Sequence, residues 1–244
     1  MTEGLTARQT QILKSLVEEY IETAEPVGSE TLDKKFNLGV SSATIRNEMT
    51  ALTKTGHLKQ PHTSAGRIPT PKAMKFFINQ LMEEKQMSLT EEVKAKEEVW
   101  DSRLDLEKLI AEATQALAES TKSLAVATLD DEGKIWHSGY ANVFTNPEFA
   151  DLEAAASLFA FLEEAQRMHE LFFERMTGVS PVEVIFGEDL GWPGFGPIGI
   201  VGTRFSAQGR VGALGVVGPF RLHYQQIFPV IRYFKNLIEE VYGR

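Results

Sequence analysis

The 244-residue sequence contains no cysteine, which excludes disulfide bridges, cysteine-ligated zinc and thiol catalysis. It also lacks a basic N-terminal region followed by an apolar stretch, the pattern of a signal peptide. No run approaches the roughly 18 consecutive apolar residues of a membrane span. From these absences we expect a soluble, cytoplasmic protein.

Signals for an enzyme or a cofactor are weak. The Gly194–Gly199 stretch matches the dinucleotide pattern G-x-G-x-x-G, but Pro197 interrupts it and a β-like sequence follows instead of a helix. No G-x-S-x-G elbow exists. The histidines contain no i,i+4 pair that would suggest a metal site, and they are His57, His62, His137, His169 and His223. We therefore expect no catalytic residue, no cofactor and no metal.

Positive charge is scarce except in one segment. The net charge is −9, but residues 40–80 carry six basic residues against one acidic residue, a net charge of +5. Residues 81–244 carry 15 basic and 26 acidic residues, a net charge of −11. A positive segment on an acidic chain indicates local contact with a polyanion.

The first 55 residues have the pattern of three helices. Thr6 and Gln9 fit a capping box at the start of the first helix. Ser29 is placed to cap a second helix that ends near Phe36, and Ser41 to cap a third that runs to about Thr55. Two helices joined by the tight turn Asn37–Gly39 are typical of a helix-turn-helix.

A strand, a loop and a returning strand follow the third helix, as in a winged helix-turn-helix. Residues 57–60 read as the first strand, and the second lies near Ile68. The loop between them has Pro61 and Pro69 at its ends and Gly66 in the middle. The prolines stiffen the loop and the glycine permits a bend, so we expect His62 and Arg67 near its tip, and this loop is the predicted wing.

On a helical wheel, the third helix directs Ile45, Met49 and Leu52 inward and a face of small and polar residues outward. Small residues let a helix enter the major groove, where Asn can bond adenine and Arg can bond guanine or phosphate. An ordinary exposed polar face remains an alternative. The predicted DNA-binding residues are Ser41, Ser42, Ala43, Thr44, Arg46, Asn47, Thr50, Lys54, Lys59, His62, Thr63, Ser64, Arg67 and Lys72.

Residues 83–122 contain neither Gly nor Pro and are dense in charge, as expected of a helical connector. Three readings are open for them: an amphipathic helix packed on its own domain, a dimerising helix pair, or a disordered linker. The loosely spaced apolar positions are Val93, Trp100, Leu104, Leu109, Ala113 and Leu117.

Residues 123–244 predict an α+β domain with an antiparallel sheet. Strands are expected at 124–129, 134–137, 182–186, 198–204 and 211–217, with a turn at 130–133 between the first two. Helices are expected at 151–164, around 171–173 and at 224–241. The apolar positions of the helix at 151–164 are Leu152, Ala155, Ala156, Phe159 and Leu162.

Several segments resemble one bacterial family. The N-terminal runs LTARQTQILKSLVEEYIETAEPVGSETL, LGVSSATIRNEM and QPHTSAGRIPT, with NPEFADLEAAASLFAFLEE and VGALGVVGPFRLHY further on, are similar to the HrcA heat-inducible transcription repressors. The resemblance implies a winged helix-turn-helix at residues 1–82, a connector at 83–122 and a GAF-like regulatory domain at 123–244. It further implies a homodimer that binds an inverted-repeat operator upstream of chaperone genes and whose activity depends on the chaperonin GroEL.

The sequence departs from the family pattern in two places. Family members carry an additional inserted segment in the C-terminal half, which is missing here after Leu129, and Ser42 stands where proline is usual. The alternative functions are a small-molecule-sensing regulator that acts through the GAF-like domain, and an adaptor whose winged helix contacts protein.

Overall fold

The computed structural model describes residues 4–130 and 133–243. The chain forms two compact units, one that ends at Glu83 and one that begins at Glu84. No helix among the described residues is both long enough and apolar enough to cross a membrane. The finer division into domain, connector and regulatory domain stays a prediction.

Three helices form the core of the N-terminal unit: α1 (Ala7–Thr23), α2 (Ser29–Phe36) and α3 (Ser42–Lys54). The predicted capping box is present, because Thr6 and Gln9 each bond the other's backbone amide. Asn37 has a φ of 43° and turns the chain between α2 and α3. The prediction that Ser29 caps α2 is wrong: Gly28 is the N-cap and Ser29 is the first helical residue.

The wing has the predicted order. Strands β1 (Leu58–Lys59) and β2 (Ile68–Pro69) pair antiparallel, with Leu58 opposite Pro69. Helix α4 (Pro71–Phe76) begins with a proline, where the missing amide hydrogen would have no helical partner, and its last turn widens into a π-helix at Phe77–Leu81. These elements complete a winged helix-turn-helix.

Two helices open the second unit, α5 (Leu89–Trp100) and α6 (Leu106–Thr121). The apolar positions predicted for this region divide between them. Leu109, Ala113 and Leu117 of α6 are buried, and α6 packs on the sheet and on the last helix. In contrast, Val93, Trp100 and Leu104 are exposed by 48%, 38% and 88%. The reading of one helix packed on its own domain therefore fits α6, whereas the outer face of α5 is not covered.

The five-stranded antiparallel sheet has the order β4-β3-β7-β6-β5. Its strands are β3 (Leu124–Leu129), β4 (Ile135–Ser138), β5 (Glu183–Phe186), β6 (Ile198–Ala207) and β7 (Arg210–Pro219). Gln208 and Gly209, with φ of 54° and 75°, form the two-residue turn between β6 and β7. Of the predicted turn at 130–133, Asp131 and Glu132 lie outside the described residues.

Helices cover the sheet. They are α7 (Tyr140–Val143), α8 (Leu152–Glu163), α9 (Ala165–His169), α10 (Gly187–Leu190) and α11 (Tyr224–Tyr242), together with a 3-10 turn at Pro147–Ala150 and a π-helical continuation of α9 at Glu170–Arg175. This α+β arrangement confirms the predicted fold class. Two of the apolar residues of α8 face solvent: Leu152 is 81% exposed and Ala156 is exposed. Leu158 and Phe161 supply the buried face instead, because they lie on the side of α8 that joins the core cluster on the sheet.

Candidate nucleic-acid interface

Helix α3 has the two faces that the helical wheel predicts. Ile45, Met49 and Leu52 are at most 4% exposed, and the opposite side presents Ala43, Arg46, Asn47 and Thr50 to solvent. Ser41 is exposed as well, whereas Ser42 and Thr44 are half-buried.

The polar side chains of this outer face differ in how they are bonded. The Ser41 hydroxyl accepts a hydrogen bond from the Thr44 amide at 3.3 Å, and the Thr50 hydroxyl donates to the Arg46 carbonyl at 2.9 Å. The side chains of Arg46 and Asn47 have no hydrogen-bond partner among the described residues. Arg46 and Asn47 are therefore exposed side chains of this face with free donors.

The acidic residue of the positive segment does not oppose this face. Glu48 accepts a hydrogen bond from Gln9 at 3.1 Å and lies 3.6 Å from the Arg8 guanidinium. Both partners belong to α1, so Glu48 supports the packing of α1 against α3. The carboxylate of Glu48 is therefore engaged with α1 and not with Arg46 on the outer face.

The tip of the wing is a turn held by one side chain. The Ala65 amide donates to the His62 carbonyl at 2.9 Å. The side-chain amide of Gln60 donates to the carbonyls of Thr63 and Ala65, at 3.0 and 2.9 Å. His62, Thr63 and Ser64 are thereby exposed on an ordered turn. Gln60 is not among the predicted site residues, although an amide side chain next to a loop can bond the free carbonyls of that loop.

Gly66 has a different role from the bend that we predicted. A Cβ atom at this position would lie 2.4 Å from the carbonyl oxygen of Val27. The close approach lets Val27 and Arg67 exchange two backbone hydrogen bonds, of 2.9 and 2.8 Å. Gly66 is therefore needed because the wing passes directly against the segment before α2.

The placement of Arg67 near the wing tip is wrong. Its backbone is tied to Val27, and its half-buried side chain donates through Nε to the Thr53 hydroxyl at 3.2 Å. Arg67 therefore lies at the base of the wing, against α3. The sequence could not indicate this, because the bridge to Val27 joins residues that are far apart in the chain.

The three predicted phosphate-contacting lysines, Lys54, Lys59 and Lys72, are all exposed. Lys72 donates to the carbonyl of Thr55 at 3.0 Å. The three lie after the outer face of α3, on the helix end, the first wing strand and the start of α4. None of them lines the cavity described next.

A cavity of about 360 Å³ opens between the start of α2, the helix α3 and the wing. It brings together predicted site residues from two elements with residues that were not predicted, and its polar lining includes Ser29, Arg46, Gln60, Thr63, Ser64 and Arg67. Among the residues that the structure describes, none in this lining is a carboxylate. The cavity is thus a concave surface with two arginines and no charge of opposite sign.

No three His, Asp or Glu side chains among the described residues come close enough to hold a metal ion. The arrangement that is present suits recognition of an anion.

Two family models match the chain. A model of the winged helix-turn-helix transcription repressor, HrcA DNA-binding, matches residues 4–83, and a model of the HrcA protein C terminal domain matches residues 49–228, well over half of the chain. The chain belongs to the HrcA family.

Individual HrcA proteins agree with this assignment. The heat-inducible transcription repressor HrcA of Acetivibrio thermocellus is 43% identical over 129 residues, which are 52% of this chain and 36% of that protein. The HrcA of Carboxydothermus hydrogenoformans is 26% identical over an alignment that covers 97% of this chain and 98% of that protein. That alignment has 336 positions, 92 more than the 244 residues of the chain. The relative therefore has segments without a counterpart here, as expected if the inserted segment is missing.

A solved structure has the same fold. A crystal structure of a hypothetical protein at 2.2 Å resolution superimposes with a TM-score of 0.75 and covers 98% of both chains, at 19% sequence identity. At this identity the likeness supports the architecture alone.

Proposed function

We propose that this chain is a transcriptional repressor of heat-shock (chaperone) genes that binds an inverted-repeat operator as a homodimer. The observation that carries the proposal is the pair Arg46 and Asn47. Both side chains are exposed on the outer face of α3, have no partner among the described residues, and lie in a segment of net positive charge. The family match supplies the biological role, because the matched relatives are heat-inducible transcription repressors.

In this proposal the outer face of α3 lies in the major groove. Asn47 reads a base edge, since its amide can donate to and accept from adenine. Arg46 bonds guanine or a phosphate, and the exposed lysines and the wing turn contact the backbone. Phosphate contacts position the protein, whereas base contacts specify the sequence.

Homodimerisation follows from the symmetry of the proposed operator. A two-fold axis between two copies of the chain places their α3 helices in successive major grooves of an inverted repeat. The exposed apolar residues Val93 and Trp100 of α5, with Leu104 in the turn after it, support a contact between two copies of this chain through α5. If so, Trp100→Lys shifts the protein from dimer to monomer in analytical ultracentrifugation, and an unchanged dimer excludes α5. Dependence on GroEL stays an expectation from the family.

Repression is tested by transcription in vitro from promoters of chaperone genes. We expect the wild-type protein to lower the transcript level and Asn47→Ala to lower it much less at the same concentration. Equal transcript levels with and without the wild-type protein would remove the repressor assignment. A compound that strongly raises the melting temperature and also changes DNA binding would favour the small-molecule-sensing alternative.

A further inference from the structure

A serine outside the predicted site is buried beside the positive cavity without a partner. Ser29, the first residue of α2, is only 6% exposed and lines the cavity. Its hydroxyl makes no hydrogen bond with any described residue. The hydroxyl is therefore a free donor at the wall of the cavity, and a ligand there would give it a partner.

The backbone around Ser29 offers further donors. The N-cap of α2 is Gly28, which has no side chain to cap the helix. The amides of the first turn, at Ser29, Glu30 and Thr31, have no acceptor among the described residues. Free amides and the positive end of the helix dipole favour an anion here.

The charges around the cavity also favour an anion. Arg46 approaches it from α3 and Arg67 from the base of the wing. Glu30 is the one carboxylate in the first turn of α2, and it is exposed and does not line the cavity. A hydroxyl donor, helix amides and two guanidinium groups are the combination that binds phosphate.

We propose that this cavity holds one phosphodiester group of the DNA backbone, with Ser29 as a hydrogen-bond donor between Arg46 and Arg67. The inference rests on the proposed DNA binding and extends it, because it adds the start of α2 to the interface. The contact would fix the position of α3 along the duplex, since it joins α2, α3 and the wing at a single phosphate.

The test uses a duplex from the chain's own chromosomal region that the wild-type protein protects in footprinting. Each phosphate in turn is replaced by a methylphosphonate, which is uncharged and has lost one acceptor oxygen. We expect the wild-type protein to bind about tenfold more weakly when one particular phosphate in each half-site is replaced. Ser29→Ala should weaken binding to the unmodified duplex, and replacement of that one phosphate should cost Ser29→Ala less than it costs the wild type, since Arg46 and Arg67 still contact the phosphate.

Two further variants control for folding. Ser29→Cys keeps the shape of the side chain with a somewhat larger thiol that donates weakly, so it should behave like Ser29→Ala. Ser15→Ala removes a hydroxyl of equal burial, 6% exposed, from α1 and outside the cavity, and it should keep the wild-type profile. Thermal melting monitored by circular dichroism checks that each variant is folded.

The outcomes separate this inference from the proposed function. Suppose that the wild-type protein protects DNA, but that at every phosphate the loss of affinity from both changes together equals the product of the separate losses from Ser29→Ala and from methylphosphonate. The cavity then does not hold the phosphodiester, and only this inference fails. If the wild-type protein binds no duplex, both fail. Inorganic phosphate is the second probe: if it shifts the Ser29 amide resonance while DNA shows no coupling to Ser29, the ligand is a free anion and the inference is overturned.

Discussion

Replacement of Gly66 by alanine tests whether the wing is held by its close approach to the segment before α2. The new Cβ atom would lie 2.4 Å from the Val27 carbonyl oxygen, 2.5 Å from its carbonyl carbon and 2.8 Å from the carbonyl carbon of Pro26. All three are backbone atoms, so no side-chain rotation can relieve the overlap. We expect the wing to move away from Val27.

The size of the effect follows from this geometry. A shift from 2.4 Å to the 3.4 Å of an ordinary contact requires about 1 Å, which would lengthen the 2.8 and 2.9 Å hydrogen bonds between Val27 and Arg67 beyond bonding range. Each bond contributes about 0.5–1.5 kcal/mol to stability, and alanine recovers roughly 0.4–1 kcal/mol by restricting the unfolded chain. The N-terminal unit should lose about 1–2 kcal/mol.

Urea denaturation monitored by circular dichroism measures this loss, and hydrogen exchange at the amides of Val27 and Arg67 localises it. Gly4→Ala is the matched control, because a Cβ at Gly4 would meet no atom within 4 Å. Unchanged stability in Gly66→Ala, with the Val27 and Arg67 amides as protected as in the wild type, would refute the reasoning.

Four other substitutions test separate parts of the account. Asn47→Ala should weaken binding to the operator by about 1–3 kcal/mol and leave affinity for scrambled DNA nearly unchanged in gel shifts; an equal loss on both would show that Asn47 only positions the helix. Arg67→Ala should weaken binding to both and reduce the slope of log K against log salt by about 1, and an unchanged slope would remove Arg67 from the interface. Arg221→Leu should lower the free energy of unfolding of the second unit by about 3 kcal/mol in urea denaturation, because it leaves Glu148 without its 2.7 Å partner in a poorly solvated site. A second change, Glu148→Leu, should restore most of the loss. Full stability of Arg221→Leu would show that the ion pair is dispensable. Burial raises the pKa of the Tyr224 hydroxyl. The contribution of the neutral hydroxyl to stability is therefore complete below the unfolded pKa of about 10 and is lost as pH rises above it. Tyr224→Phe should flatten the fall in melting temperature above pH 10, and an identical fall in both proteins would contradict the raised pKa of Tyr224.

Local physical chemistry was enough to predict most helices and the wing. The capping box at Thr6 and the αL residue at Asn37 each act through neighbours within about four residues, so the sequence contains the whole interaction. The inward face of α3 was predictable for the same reason, because three apolar residues at helical spacing leave one side for the core.

The errors arose where a residue's surroundings depend on distant parts of the chain. Arg67 was expected at the wing tip, but its bridge to Val27 and its bond to Thr53 place it at the base. Leu152 fits an apolar pattern, yet the side of α8 that meets the sheet is set by the strands, which leave it exposed. Neither relation has a local signature in the sequence.

Footprinting of the purified protein on its own chromosomal region tests the central claim most directly. The account predicts a protected site with two-fold symmetry, whose halves are centred about one helical turn, 34–36 Å, or a multiple of it apart. Absence of protection at low salt, or a single protected stretch without symmetry, would contradict a dimeric repressor that reads DNA through α3.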